Sequence, residues 1–160
     1  MPEITTSLEM EAPAEVIWSL LADFGNIAAW WPRDGRIRIE RVVVQGEGIG
    51  TIRHIKNEGV DRVVSERLDF LDPETMTWIL SIVGDRPPGI IAYVAIGRLI
   101  PLGSARCRAD YRCYLTTDSG LEARIEKVLR RTWAEMFEGL ESCARRGATL
   151  GSAQGPAASP

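Results

Sequence analysis

Two stretches decide the fold: Gly48-Ile49-Gly50-Thr51-Ile52-Arg53 and Val64-Ser65-Glu66-Arg67-Leu68-Asp69-Phe70-Leu71-Asp72. Each reads as a β-strand, and strand side chains alternate between two faces. In the second stretch, Val64, Glu66, Leu68 and Phe70 share one face. Ser65, Arg67 and Asp69 take the other, which suits solvent. Glu66 is thereby inward. Thr51, Arg53 and Ile55 give a weaker parity, because Ile52 sits on the opposite face. Adjacent antiparallel strands bring Arg53 and Glu66 within reach of each other. The desolvation cost of a buried ion pair rivals its Coulomb gain, so such a pair asks for a reason. Three readings stand: a salt bridge that shapes the sheet, an anchor for a polar group on a ligand, or an acid/base unit.

Further elements flank these strands. Ile4 to Met10 reads as a first strand. Ala12-Pro13-Ala14-Glu15 opens a helix, since proline is tolerated in the first turn and an acidic residue suits the N-terminal dipole. Val16, Ile17, Leu20 and Leu21 recur at helical spacing, and the helix stops near Gly25. Asn26 to Trp31 forms a second short helical turn, ended by Pro32. Strands follow over Arg36 to Val44, Thr51 to Lys56, Asp61 to Leu71, Met76 to Val83, Ile90 to Ile100 and Arg106 to Thr116. Their short turns dictate antiparallel neighbours. A long helix closes the chain from about Gly120 to Arg146. Ile125, Leu129, Met136, Leu140 and Cys143 form its apolar stripe, widened by Val128, Trp133 and Phe137. That stripe must pack on the concave face of the sheet. Residues 1–148 read as one domain. Residues 149–160, rich in Gly, Ser, Ala and Pro, read as a disordered tail.

This order of elements, the opening Ala12-Pro13-Ala14-Glu15-Val16-Ile17-Trp18 and the two quoted stretches resemble the START-like (SRPBCC) superfamily over residues 3–147. That superfamily includes polyketide cyclase/dehydrase-type, birch-pollen-allergen-like and abscisic acid receptor proteins. The resemblance implies an α+β helix-grip fold. A curved seven-stranded antiparallel sheet would surround a long C-terminal helix, with two short helices after the first strand and a hydrophobic cavity between sheet and helix. It further implies that Arg53, the arginine of a Gly-x-Gly-x-x-Arg pattern, points into that cavity. Trp30 and Trp31 would stand near the entrance. Asp85-Arg86-Pro87-Pro88-Gly89 would match an entrance loop of receptor relatives, or be a stiff turn only.

Parity supplies more candidates for the cavity wall. Tyr93 shares a face with Ala95 and Gly97, small residues that leave space above the sheet. Tyr111 shares one with Cys107, Ala109 and Cys113, while Arg106, Arg108, Asp110 and Arg112 take the other. A phenol offers an apolar body and a polar tip. Trp78 and Leu80 belong to the inner face of their strand, and Trp133, Met136 and Phe137 close the space from the helix. Each of these aromatics also serves as plain core packing. Arg33 is a further candidate for the entrance, although its parity is unreadable.

His54 alternates with Arg53 and so points outward, which removes the commonest general base. No Ser-His-Asp or Cys-His set then forms inside, no metal-ligand spacing is present, and the Gly46–Gly50 run is a hairpin turn rather than a phosphate loop. No metal or cofactor is expected. The chain has 160 residues, 45% hydrophobic and 26% charged, within the range of ordinary globular proteins. Its net charge of -3 argues against a nucleic-acid partner, and Arg130-Arg131 and Arg145-Arg146 read as solvated helix faces. The N-terminus lacks a signal pattern, and the apolar run Gly89 to Gly97 is too short for stable membrane insertion. Cys107 and Cys113 lie on one strand at ~20 Å, too far apart to bridge, so reduced thiols in the cytoplasm are expected.

The leading functional expectation is binding of a hydrophobic small molecule, lipid, polyketide or isoprenoid-like, in the internal cavity. Arg53, Glu66, Tyr93 and Tyr111 would orient it through hydrogen bonds. The resemblance also implies two alternatives. One is a polyketide cyclase/aromatase or dehydratase, in which Arg53 stabilises an enolate and Glu66 or a tyrosine moves protons. The other is lipid or quinone transfer, with Trp30 and Trp31 as the membrane contact. Homodimerisation is left open.

Overall fold

The computed structural model describes the backbone of residues 1–153 and the side chains of residues 1–147. The strands are β1 (Glu3–Met10), β2 (Ile39–Gln45), β3 (Ile52–Asn57), β4 (Val63–Asp72), β5 (Thr77–Ile82), β6 (Ile90–Pro101) and β7 (Cys107–Thr117). Helix α1 (Ala14–Ala22) and a 3-10 segment (Phe24–Ala29) separate β1 from β2, and α2 (Glu122–Ala153) follows β7. The strands form one sheet in the order β1-β7-β6-β5-β4-β3-β2, every neighbouring pair antiparallel. This is the expected helix-grip architecture, with the long helix on the inner face. Among the described residues no helix is long and apolar enough to cross a membrane.

Turn chemistry sets this register. The β2–β3 turn needs positive φ at Gly46, Gly48 and Gly50 (83°, 64° and 94°), a region open to glycine at little cost. The turn places Thr51, Arg53 and Ile55 on the buried face of β3. Pro13 caps α1, whose buried residues are Ala14 and Ile17. Val16, expected on the buried side, is 38% exposed instead.

Bulges account for the main departures from simple alternation. Pairing between β4 and β5 shifts register between Leu68 and Phe70. The extra residue at Asp69 flips the parity beyond it. Leu68 stays buried, but Phe70, expected inward, is turned out and exposed, and Leu71 packs against the core in its place. A second shift between Ile90 and Ala92 leaves Ile91 exposed while Tyr93, Ala95 and Leu99 are buried. Ser65, expected in solvent, is buried on the outer face beside His54. On α2, Ile125, Trp133, Phe137 and Leu140 are buried, whereas Val128 is exposed. The helix runs to Ala153, past the Arg146 end that its stripe predicts. The tail expected over 149–160 is therefore helical backbone as far as residue 153, and 154–160 lie outside the described residues.

Gly97 has a different purpose from the open space its size suggests. It pairs across the ladder with Trp78, whose indole lies flat over it. A Cβ built at Gly97 would stand 2.1 Å from the Trp78 ring. Gly97→Ala should therefore destabilise the fold by about 3 kcal/mol, the upper range for overpacking. Chemical denaturation measures this. A loss below about 0.5 kcal/mol would mean that the ring moves aside freely.

Candidate functional site

The register pairs Arg53 of β3 directly with Glu66 of β4. Arg53 Nε donates to Glu66 Oε2 at 2.7 Å, and Nη2 lies 2.6 Å from the same oxygen. Nη1 donates to the Phe24 carbonyl at 2.9 Å. The guanidinium carbon sits 4.0 Å from the centroid of the Phe24 ring, a cation–π contact. Arg53 thus ties the sheet to the 3-10 segment. Its side chain is 7% exposed and that of Glu66 18%, so neither charge can be left alone without cost. The guanidinium keeps N–H groups on Nη1 and Nη2 beyond those used here.

Beside this pair stands an aromatic group centred on Tyr111. Trp78 stacks on it at 5.9 Å, and Trp133 and Phe137 meet it edge-on at 5.0 and 5.8 Å. Trp133 Nε1 donates to the Tyr93 hydroxyl at 3.2 Å. Burial holds both the Tyr93 and Tyr111 phenols well above the ordinary tyrosine value. They are neutral donors at physiological pH. Burial also pushes the Cys107 and Cys113 thiols up to about 11, so neither is a ready thiolate.

A cavity of about 690 Å³ opens between the sheet and α2. Arg53, Glu66, Leu80, Tyr93, Tyr111, Trp133 and Met136 all line it, as the sequence suggests. Trp78 and Phe137 do not. They lie behind Tyr111 and fill the core, which leaves Tyr111 as the wall. Pro87, Pro88 and Gly89 of the expected entrance loop reach the cavity. Trp31 also lines it, its indole N–H donating to the Ile37 carbonyl at 2.8 Å. Trp30 is 3% exposed and packs under α2, so it presents no contact surface to a membrane. Arg33 belongs to a separate surface cleft rather than to the mouth.

Among the contributors that escaped the sequence reading, four bear on the chemistry of the cavity. Phe24 holds Arg53 by its ring and its carbonyl, and no pattern announces a contact between segments so far apart in the chain. Asn57 ends β3 at the cavity wall and buries Oδ1 without a partner, an acceptor that a ligand N–H or O–H would satisfy. Arg62 and Arg124 line the cavity at its open side. Both were within reach of simple rules: Arg62 shares parity with Val64 and Glu66, and Arg124 precedes Val128 by one helical turn.

His54 points outward, as its alternation predicts, yet it is not merely solvated. Nδ1 lies 2.7 Å from Ser65 Oγ, and Nε2 3.3 Å from Gln45 Oε1. The cluster lies on the outer face with a neutral amide where a catalytic triad has a carboxylate, and neither His54 nor Ser65 lines the cavity. Among the described residues no group of three His, Cys, Asp or Glu side chains is placed to hold a metal ion.

The family described as polyketide cyclase/dehydrase and lipid transport matches residues 1–147. No curated protein matches the sequence. Solved structures share the fold. A protein from Thermobifida fusca superposes with a TM-score of 0.76 at 21% identity, over 91% of this chain and 95% of its own. The Zhui aromatase/cyclase from Streptomyces sp. R1128 gives 0.73 at 21%, over 91% and 94%. Norcoclaurine synthase from Thalictrum flavum, in complex with dopamine and hydroxybenzaldehyde, gives 0.70 at 18%, over 88% and 84%. At these identities the likeness is one of fold alone.

Two outcomes follow from the buried pair and the buried phenols. Arg53→Met leaves Glu66 charged and unpaired, and should cost about 3–5 kcal/mol in chemical denaturation. Adding Glu66→Met should recover most of that loss, and a double variant as unstable as the single one would refute the pairing. For the phenols, a folded-state pKa above the unfolded value near 10 means the folded state holds the proton more tightly. The resulting stability is complete below pH 10 and lost as pH rises beyond it. Denaturation at pH 9 and pH 11 should show this loss, and it should shrink in Tyr93→Phe and Tyr111→Phe.

Proposed function

The chain belongs to the polyketide cyclase/dehydrase and lipid-transport family, and on that premise we propose that it binds a mostly apolar small molecule between sheet and helix. The observation that carries this reading is the cavity itself. Its volume of about 690 Å³ falls in the range of small-molecule sites. Aliphatic side chains such as Val64, Leu80, Ile82 and Leu129 form much of its wall, and one set of polar groups gathers around Arg53, Glu66 and Tyr111. Such a wall holds an apolar body by burial, and a few fixed donors set its orientation. Lipid, polyketide and isoprenoid-like molecules all meet that description. Free thiols at Cys107, Cys113 and Cys143 support a reducing, cytoplasmic setting.

A second reading, cyclase or dehydratase chemistry on a polyketide-like substrate, is favoured by one observation. Arg53 keeps unused N–H groups beside a phenol held neutral, a donor set suited to an oxygen that gains charge. Glu66 takes both Arg53 contacts on Oε2, so Oε1 is open to accept a proton. Catalysis on a poly-β-ketone probe that survives unchanged in Arg53→Lys and in Glu66→Gln rejects this reading.

Binding itself is measured with a neutral fluorescent probe, N-phenyl-1-naphthylamine. One saturable site is expected. Leu129→Trp, which fills the cavity from the helix side, should weaken it by at least roughly tenfold while circular dichroism stays unchanged. Absence of saturable binding, or indifference to Leu129→Trp, would refute the cavity as the site.

A further inference from the structure

The cavity has a second polar region, distinct from the Arg53–Glu66 pair. Arg62 at the start of β4 and Arg124 near the start of α2 both line it, and both are exposed. Among the described residues neither forms an ion pair or a side-chain hydrogen bond; Arg33, Arg41 and Arg131 share that, but they lie off the cavity lining. The carboxylates on the lining are Glu66, engaged by Arg53, and Asp118. Two unengaged guanidinium groups against one exposed aspartate give the lining at the mouth a positive balance.

Both walls give the same distance from this mouth to the inner polar end. Arg62 to Glu66 is four strand residues, roughly 13 Å. Arg124 to Trp133 is nine helical residues, roughly 14 Å. Between these ends the lining is mostly apolar, with Val64 on the sheet and Val128 and Leu129 on the helix, and the Thr132 hydroxyl is spent on the Val128 carbonyl. Opposed walls of equal length, each with an arginine at the outer end, describe an elongated site with a cationic rim.

We propose that the ligand is an amphiphile whose anionic head, a carboxylate or phosphate, is held at the mouth by Arg62 and Arg124. Its apolar body runs inward toward Arg53, Glu66 and Tyr111. This rests on the cavity-binding reading above and adds the charge and place of the head group. A separation of roughly 13 Å corresponds to about ten carbon–carbon bonds of extended chain, so dodecyl compounds are matched probes. Planar guanidinium groups bind either head through paired hydrogen bonds.

The experiment titrates dodecanoate, dodecyl phosphate, dodecanol and dodecylammonium, each below its aggregation concentration, by isothermal calorimetry at low salt. The proteins are wild type, Arg62→Ala/Arg124→Ala and Arg62→Glu/Arg124→Glu. Both positions are exposed, so the variants keep the fold. The anionic probes should bind wild type roughly tenfold tighter than dodecanol. That advantage should vanish in the double alanine variant, and the double glutamate variant should prefer dodecylammonium. Comparing dodecanoate with dodecyl phosphate tells a carboxylate head from a phosphate one. Dodecanol binding as tightly as both anions, or an anion preference that survives in the double alanine variant, overturns the head-group assignment alone. Failure of every probe to bind wild type overturns the cavity reading with it.

Discussion

The contact on which the rest depends is Arg53 to Glu66, with Phe24 beneath it. It joins the two strands whose register sets the floor of the cavity, and it fastens the 3-10 segment to that floor through a carbonyl and a ring face. Apolar burial holds the sheet against the helix but says little about register. A charged hydrogen-bonded pair with one allowed geometry does. A buried ion pair gives little net stability relative to apolar side chains of the same size. What it supplies here is position, together with a polar patch on an otherwise oily wall.

Around that patch the cavity survives because the core is filled by aromatic packing elsewhere. Trp78 lies over Gly97 and behind Tyr111, and Phe137 and Trp133 meet Tyr111 edge-on. These rings form a rigid partition, dense on one side and open on the other. Tyr111 is the face of that partition, which explains how a core tyrosine also serves as cavity wall.

Most of the fold could be read from sequence because its signals are local. Glycine turns, alternation along strands and the stripe on α2 each act over a few residues, and they placed seven strands and the long helix correctly. The inward direction of Glu66 followed from parity alone. Parity failed where a bulge intervened, at Phe70. At Ser65 it gave the correct outer face, and only the expected exposure was wrong, because the hydroxyl packs against His54. Cavity lining was harder. Trp78 and Phe137 point inward, but whether an inward ring borders a void or fills it depends on neighbours from three other elements. Phe24 was invisible for the same reason, since its contact with Arg53 spans segments far apart in the chain.

The pairing of β1 with β7 has a consequence for how the chain acquires its shape. The first strand borders only the last one, joined by contacts such as Ser7 to Asp110 at a sequence separation of 103. During synthesis β1 must therefore wait, unpaired, until nearly the whole domain has emerged. Non-local closure of this kind slows folding and leaves strand edges open to other chains meanwhile. The sheet is in that sense finished from its ends inward in sequence, and the cavity exists only once the last strand and its helix have arrived.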